Sequence, residues 1–358
     1  MRLVGVIAVA MMLPLALAAQ AEVGDEIAAL IPGTDEVYRH GYEELSGEDR
    51  AQYDAIVEAL CHFESNNYSP YYYHRCDLPE VPATYSIYSL IHDLERIQRD
   101  VPELYILSST IPRSDYSTGM YYARVGSVHT PESYLQELQR INAIADSLLA
   151  PLTPEMTDEE KLRVVHDGFI NLGDYGDMVG ADAGNIRGAL LNRRAVCEGF
   201  ARAGALLCQR AGLRCVYVTG QLRTSSVNDT WGNHAWNFVE ADGRWYLMDL
   251  TTDGGFPGIC GYTAFLRGQD YFSENYRLTS SDGVDANLNG VYQSLPELSA
   301  KDYADDHSLP TSLPQFSSSN SSFSAHYDLQ GRPIHSGSHG LQIESCRAAG
   351  SRGRKIMR

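Results

Sequence analysis

The chain has 358 residues, 44% of them hydrophobic and 10% aromatic, with a formal net charge of -18. That length and apolar content supply a core for one large domain or two ordinary ones and exclude a disordered chain. The acidic balance argues against a nucleic-acid surface. Neither a Gly-rich phosphate loop nor a C-x-x-C metal spacing occurs, so no cofactor and no metal are implied.

Arg2, an almost wholly apolar run from Leu3 to Ala18, and Ala19-Gln20-Ala21 ahead of Glu22 form the pattern of a signal peptide cleaved after Ala21. A secreted, periplasmic or cell-surface location follows. No other stretch is apolar for long enough to span a membrane. Export also places the seven cysteines, at 61, 76, 197, 208, 215, 260 and 346, in an oxidising compartment. Seven is odd, so at least one stays unpaired within the chain. Cys61 with Cys76, across the tyrosine-rich loop "SNNYSPYYYHRC", and Cys208 with Cys215 are the local pairings the spacing offers; a fully reduced set is the alternative.

Residues 22–130 read as a mostly helical region. "LSGEDRAQYDAIVEAL" (45–60) has helical spacing behind a Ser46 N-cap, and "SIYSLIHDLERIQRD" repeats it up to Pro102, whereas "MYYARVGSV" alternates like a strand. "SYLQELQRINAIADSLLA" (133–150) is an amphipathic helix. Thr157-Asp158-Glu159-Glu160 then makes a capping box ahead of "KLRVVHDGFINL".

From about residue 131 to 300 the pattern becomes α+β. A helix starts at Cys197 and runs to about Ala211, where Gly212 stops it, and a strand follows over 213–222. "HAWNFVEA" and "RWYLMDLT" are separated by Asp242-Gly243, a two-residue hairpin turn whose central positions need positive φ. That turn pairs Ala241 with Arg244, and hence Trp236 with Asp249 and His234 with Thr251. His234, Trp236, Phe238, Leu247, Asp249 and Thr251 then share one face, and His234 and Asp249 are diagonal neighbours. A thiolate is the nucleophilic form of cysteine, and a helix N-terminus and a neighbouring imidazolium both favour it. Cys197 has the first by position, His234 can supply the second, and Asp249 can orient the imidazole. The backbone N–H of Cys197 is one candidate oxyanion donor, and Gln221 is a weak candidate for another.

"AVCEGFARAGALLCQRAGLRCVYVTG" followed by "GNHAWNFVEADGRWYLMDLT" resembles the transglutaminase-like superfamily over roughly residues 135–275, with "VVHDGFINLGDYGD" similar to its segment ahead of the cysteine. The resemblance implies a papain-like core, a Cys-bearing helix packed on an antiparallel sheet, and carries the family's Cys-His-Asp triad onto Cys197, His234 and Asp249. The N-terminal region is similar to the helical part that precedes this domain in secreted bacterial members. One departure is the run after Asp249, Leu250-Thr251-Thr252-Asp253-Gly254, which lacks the tryptophan common in relatives.

Residues 313–326 are a Ser-rich linker. Residues 327–358 resemble a short C-terminal module of secreted bacterial proteins associated with sorting or surface attachment, or else form a basic tail. The expected function is hydrolysis of peptide-type amides in a peptide or protein substrate, through a thioester on Cys197. The same residues also serve a protein-glutamine amine transferase, and a non-catalytic secreted binding protein remains a third reading.

Overall fold

The computed structural model describes residues 21–68, 73–78, 87–106, 110–115, 117, 119–126, 130–176, 181–226, 228–255, 261–278, 284–286 and 292–307. The signal peptide, the Ser-rich linker, the C-terminal module, Cys260 and Cys346 lie outside them, Ala21 apart. The chain divides into two units, one of residues 1–36 and 41–142, the other of residues 37–40 and 143–358. Among the described residues no helix is long and apolar enough to cross a membrane.

The first unit is built on helices, as the sequence predicts. α1 (Gly47–Cys61) buries Tyr53, Ile56, Leu60 and Cys61, and Ser46 sits at its N-cap without a side-chain bond. Beside the helices lies a four-stranded antiparallel sheet, order β1-β2-β4-β3, larger than the single strand expected: β1 Glu64–Tyr68, β2 Tyr73–Asp77, β3 Thr110–Asp115, β4 Met120–Gly126. Of the stretch that reads as a tyrosine-rich loop, residues 65–68 and 73–76 lie in paired strands, with Tyr68 opposite Tyr73, in keeping with the strand preference of tyrosine. Pro112 is accommodated because β3 is an edge strand. α2 (Ile87–Asp100) falls between β2 and β3. Cys61 and Cys76 carry thiols rather than the suggested disulfide: Cys61 Sγ donates to Val57 O at 3.2 Å and Cys76 Sγ to Ala59 O at 2.9 Å.

α3 (Pro131–Leu149) leads from the first unit into the second. α4 (Asp158–Ile170) opens on the predicted capping box, in which Thr157 Oγ1 accepts from Glu160 N and Glu160 accepts from Thr157 N. α5 (Cys197–Arg210) is buried from Gly199 to Gln209, which its run of small and apolar residues permits. It packs on an antiparallel sheet of order β8-β5-β6-β7: β5 Cys215–Ser225, β6 Thr230–Ala241, β7 Arg244–Met248 and β8 Tyr276–Leu278. This is the α+β core the sequence implies. Cys208 and Cys215 are thiols in hydrogen-bond contact, not a disulfide.

The hairpin register is the predicted one. Ala241 pairs with Arg244 and Phe238 with Leu247, with Asp242 at φ 50 and Gly243 at φ 75. One expectation fails at its end. β7 stops at Met248, opposite Asn237, and Asp249 is the N-cap of a short helix, α6 (Leu250–Gly254), so Asp249 does not pair with Trp236 nor Thr251 with His234. The cause is local: the Asp249 carboxylate accepts the N–H groups of Thr251 and Thr252, which turns the chain into a helix.

The sheet buries both faces. One holds Val216, Val218, Trp236, Phe238, Leu247 and Tyr276. The other receives α5 on Tyr217 and Ala235, and Asn237 Nδ2 donates to Ala201 O at 2.9 Å. Gly220, opposite His234, leaves room for this closure: a Cβ there would lie 2.4 Å from the Arg277 carbonyl oxygen and 2.7 Å from the Trp236 ring.

Candidate active site

Cys197 is the first residue of α5 and is half-buried. Its N–H belongs to the first turn, whose donors have no partner within the helix. The side chain packs against Ala201, Tyr217 and Ala235. His234 lies on β6 just past the end of β7, where β6 continues beyond its partner. Its Nε2 meets Asp249 Oδ2 at 2.7 Å, and its side chain is also hydrogen-bonded to Cys197. Nδ1 is then the nitrogen that faces sulfur. The three residues nominated from sequence thus form one chain of contacts, Cys197–His234–Asp249.

Asp249 is fully buried and is the most heavily hydrogen-bonded group of the three. Oδ1 accepts from Thr251 N at 2.9 Å and Thr252 N at 3.1 Å. Oδ2 accepts from His234, from Thr252 Oγ1 at 2.6 Å and from Tyr276 OH at 2.7 Å. Burial pushes its pKa up, but the His234 charge and the bonds from His234, Thr252 and Tyr276 outweigh it, so the carboxyl sits below its ordinary range. Burial likewise pulls His234 down, and the Asp249 charge, the Asp249 bond and Cys197 more than reverse this, raising it from 6.5 to about 10. The surroundings of His234 thus favour its protonated form, between a carboxylate and a sulfur.

Tyr276 and Thr252 escaped the sequence reading. Tyr276 follows Asp249 by 27 residues and reaches it only because β8 pairs with β5, placing Tyr276 opposite Leu222. Thr252 had a visible signal, a hydroxyl three residues after the acid at a helix start. Gln221 lies on the α5 face of β5. Its Oε1 accepts from Arg277 Nε at 2.7 Å and its Nε2 donates to Asn233 at 3.4 Å, so its amide is tied along the sheet. Among the described residues no group of three or more His, Cys, Asp or Glu is arranged to hold a metal.

A fold of this kind with a Cys–His–Asp chain at the helix start is papain-like in class. Residues 143–250 match the transglutaminase-like superfamily, the stretch in which the motifs quoted above fall. The human Kyphoscoliosis peptidase is 28% identical over 156 residues, 40% of this chain and 23% of that protein; the mouse protein is 30% identical over 106 residues, 28% and 16% of the two. The chain thus spans less than a quarter of the length of these curated relatives. A crystal structure of a TGase aligns at 13% identity and TM-score 0.29, covering 56% of this chain and 55% of that one. At that level of overlap it does not bear on the assignment of residues.

Proposed function

We propose that the protein is an exported cysteine-dependent hydrolase of peptide-type amides, with Cys197 as nucleophile, His234 as acid and base, and Asp249 as the residue that orients His234. The observation that supports this best is the imidazole of His234, held by Asp249 on one nitrogen and meeting Cys197 with the other. Sulfur attacks the amide carbon while its proton resides on His234 Nδ1. The Cys197 N–H stabilises the oxyanion. His234 then protonates the leaving amine, which departs and leaves a thioester on Cys197. Water, deprotonated by His234, adds to the thioester carbon, and the acid and the thiol are released.

The same thioester can be taken by an amine. Water stands at about 55 M against millimolar amine, so a transferase must favour the amine by about four orders of magnitude, roughly 5–6 kcal/mol, and that requires a channel that excludes water. The deciding experiment feeds the protein a mixed peptide pool with millimolar amine and reads acyl-enzyme and products by mass spectrometry. Acyl-Cys197 with free acid or cleaved peptide is expected. Predominant amine adduct would make the protein a transferase. No acyl-enzyme, with unchanged partner binding by Cys197→Ala, would make it a binding protein.

A further inference from the structure

The face of the sheet that carries α5 extends beyond that helix. Cys197 packs on this face against the group of Ala201, Tyr217 and Ala235, of which Ala235 shares its row with Thr219. From there α5 runs toward Asn237, whose side chain meets Ala201 and Gly204, and on toward the row of Cys215 and Val239, where Cys208 meets Cys215. In the opposite direction the same face continues as two further rows, Arg277–Gln221–Asn233 and then Arg223–Trp231. All five residues are exposed or half-exposed. Successive rows on one face are about 7 Å apart, so the first lies roughly two residues of extended peptide from the nucleophile.

This platform is ordered. The Arg277 guanidinium lies over the Trp231 ring, 4.3 Å from its centroid, and its Nε donates to Gln221. Trp231 Nε1 donates to Asp229 at 3.2 Å, and Asp229 also pairs with Arg223 at 3.1 Å. The Arg223 charge is thereby matched. Among the described residues no carboxylate pairs with Arg277, whose two terminal nitrogens remain for a ligand. In a chain of net charge -18, a guanidinium held flat on the face that carries the nucleophile is a local exception. Its planar fork suits a carboxylate better than any other side-chain partner.

We infer that this platform selects the substrate: it binds an acidic side chain on the acyl side of the scissile amide, about two residues from it, with Arg277 gripping the carboxylate and Trp231 forming the wall. The acyl part remains attached to the protein through both half-reactions, so contacts made there serve both. The inference rests on Cys197 being the nucleophile, and the test separates the two. Peptide chloromethyl ketones carry Glu, Gln or Lys in turn at each of the first three residues, and labelling of Cys197 is timed by mass spectrometry. At one position the Glu probe should label about tenfold faster than its Gln isostere, as one charge-assisted hydrogen bond warrants. Arg277→Gln should close that gap by slowing the Glu probe, and Arg277→Glu should make Lys the faster probe. Arg244→Gln, at the far hairpin end of the sheet, should keep the gap. Equal Glu and Gln rates at every position, or a gap that survives Arg277→Gln, would overturn the platform while leaving the nucleophile in place. If no probe labels Cys197, the nucleophile falls and the platform with it.

Discussion

His234 and His166 each hold a buried aspartate through Nε2, at 2.7 Å and 3.2 Å, and the two aspartates, Asp249 and Asp253, lie one turn apart at α6. Their surroundings differ at the second ring nitrogen. In His234 it faces the Cys197 sulfur. In His166 it meets another carboxylate, Asp167, at 2.9 Å, while Tyr262 stacks on the ring and Phe265 meets it edge-on. The aspartates differ as well. Burial keeps Asp253 above its ordinary range despite the His166 bond and charge and the Ala264 N–H, whereas the donors around Asp249 overcome burial and hold it below. A buried His–Asp pair is therefore a structural element by itself. It becomes a candidate site where the free nitrogen reaches a nucleophile and the acid is held ionised.

The comparison is tested most severely at Asp249. Asp249→Asn should cut amide turnover by about 10²–10⁴-fold, the range expected when the orienting acid of a triad is neutralised. It should also move the basic limb of Cys197 alkylation. In the wild type the Asp249 charge and bond, with Cys197, outweigh burial and raise His234 from 6.5 to about 10. With that charge gone, burial acts with little opposition, and the limb should fall toward or below the ordinary histidine value. Stopped-flow alkylation across pH reads this directly, and an unmoved limb would make Asp249 no different from Asp253.

A smaller effect is expected from Tyr276→Phe, which removes one of three donors on Asp249 Oδ2. A hydrogen bond to a charged group contributes about 1.5–3 kcal/mol, so losing this donor should raise the pKa of the Asp249 carboxyl. The acid limb of the alkylation profile should shift upward with it, and turnover near neutrality should fall only about tenfold. Thr252→Val should act in the same direction. An acid limb that stays in place while the melting temperature drops would assign Tyr276 to packing alone.

The parts of this site legible from sequence were those set by short-range rules. Asp242-Gly243 fixed the register because two adjacent positive-φ residues admit few loops, and the register brought His234 beside Asp249. The helix start at Cys197 was visible from the run of small apolar residues behind it. What lay beyond reach depended on strands that meet across long separations. β8 carries Tyr276 and Arg277 to the edge of β5, yet in sequence it is a three-residue segment after a helix, with no alternation to announce it. Asp249 reads as a strand residue because "RWYLMDLT" alternates through it, and its capping bonds, accepted from the N–H groups two and three residues on, end the strand sooner. The β1–β2 pair is hidden in the sequence because Asn66-Asn67 before Tyr68 and Ser69-Pro70 after it argue for a loop locally, and pairing of β2 with β4 decides otherwise.

The smallest effect on reactivity is expected at His166, and there the comparison predicts a change in stability instead. Burial lowers the His166 pKa, but the bonds from Asp167 and Asp253 and their charges raise it above 6.5. A neutral imidazole donates through only one nitrogen, so satisfying both carboxylates requires the protonated ring. The group therefore binds its proton more tightly folded than unfolded. Its contribution is fully present below about pH 6.5 and is lost as pH rises through the raised value. His166→Gln should lower stability by about 2 kcal/mol or more, because Asp253 is left buried with a weaker partner. The deficit relative to wild type should be largest near pH 6 and shrink toward alkaline pH, as urea melts at several pH values would show. Cys197 alkylation in the folded variant should stay within about threefold of wild type, since none of the bonds on Asp249 comes from α4. A drop of more than about tenfold in alkylation rate, with stability intact, would mean that the second pair feeds the first through α6, and the distinction between a structural and a reactive His–Asp pair would have to be abandoned for this fold.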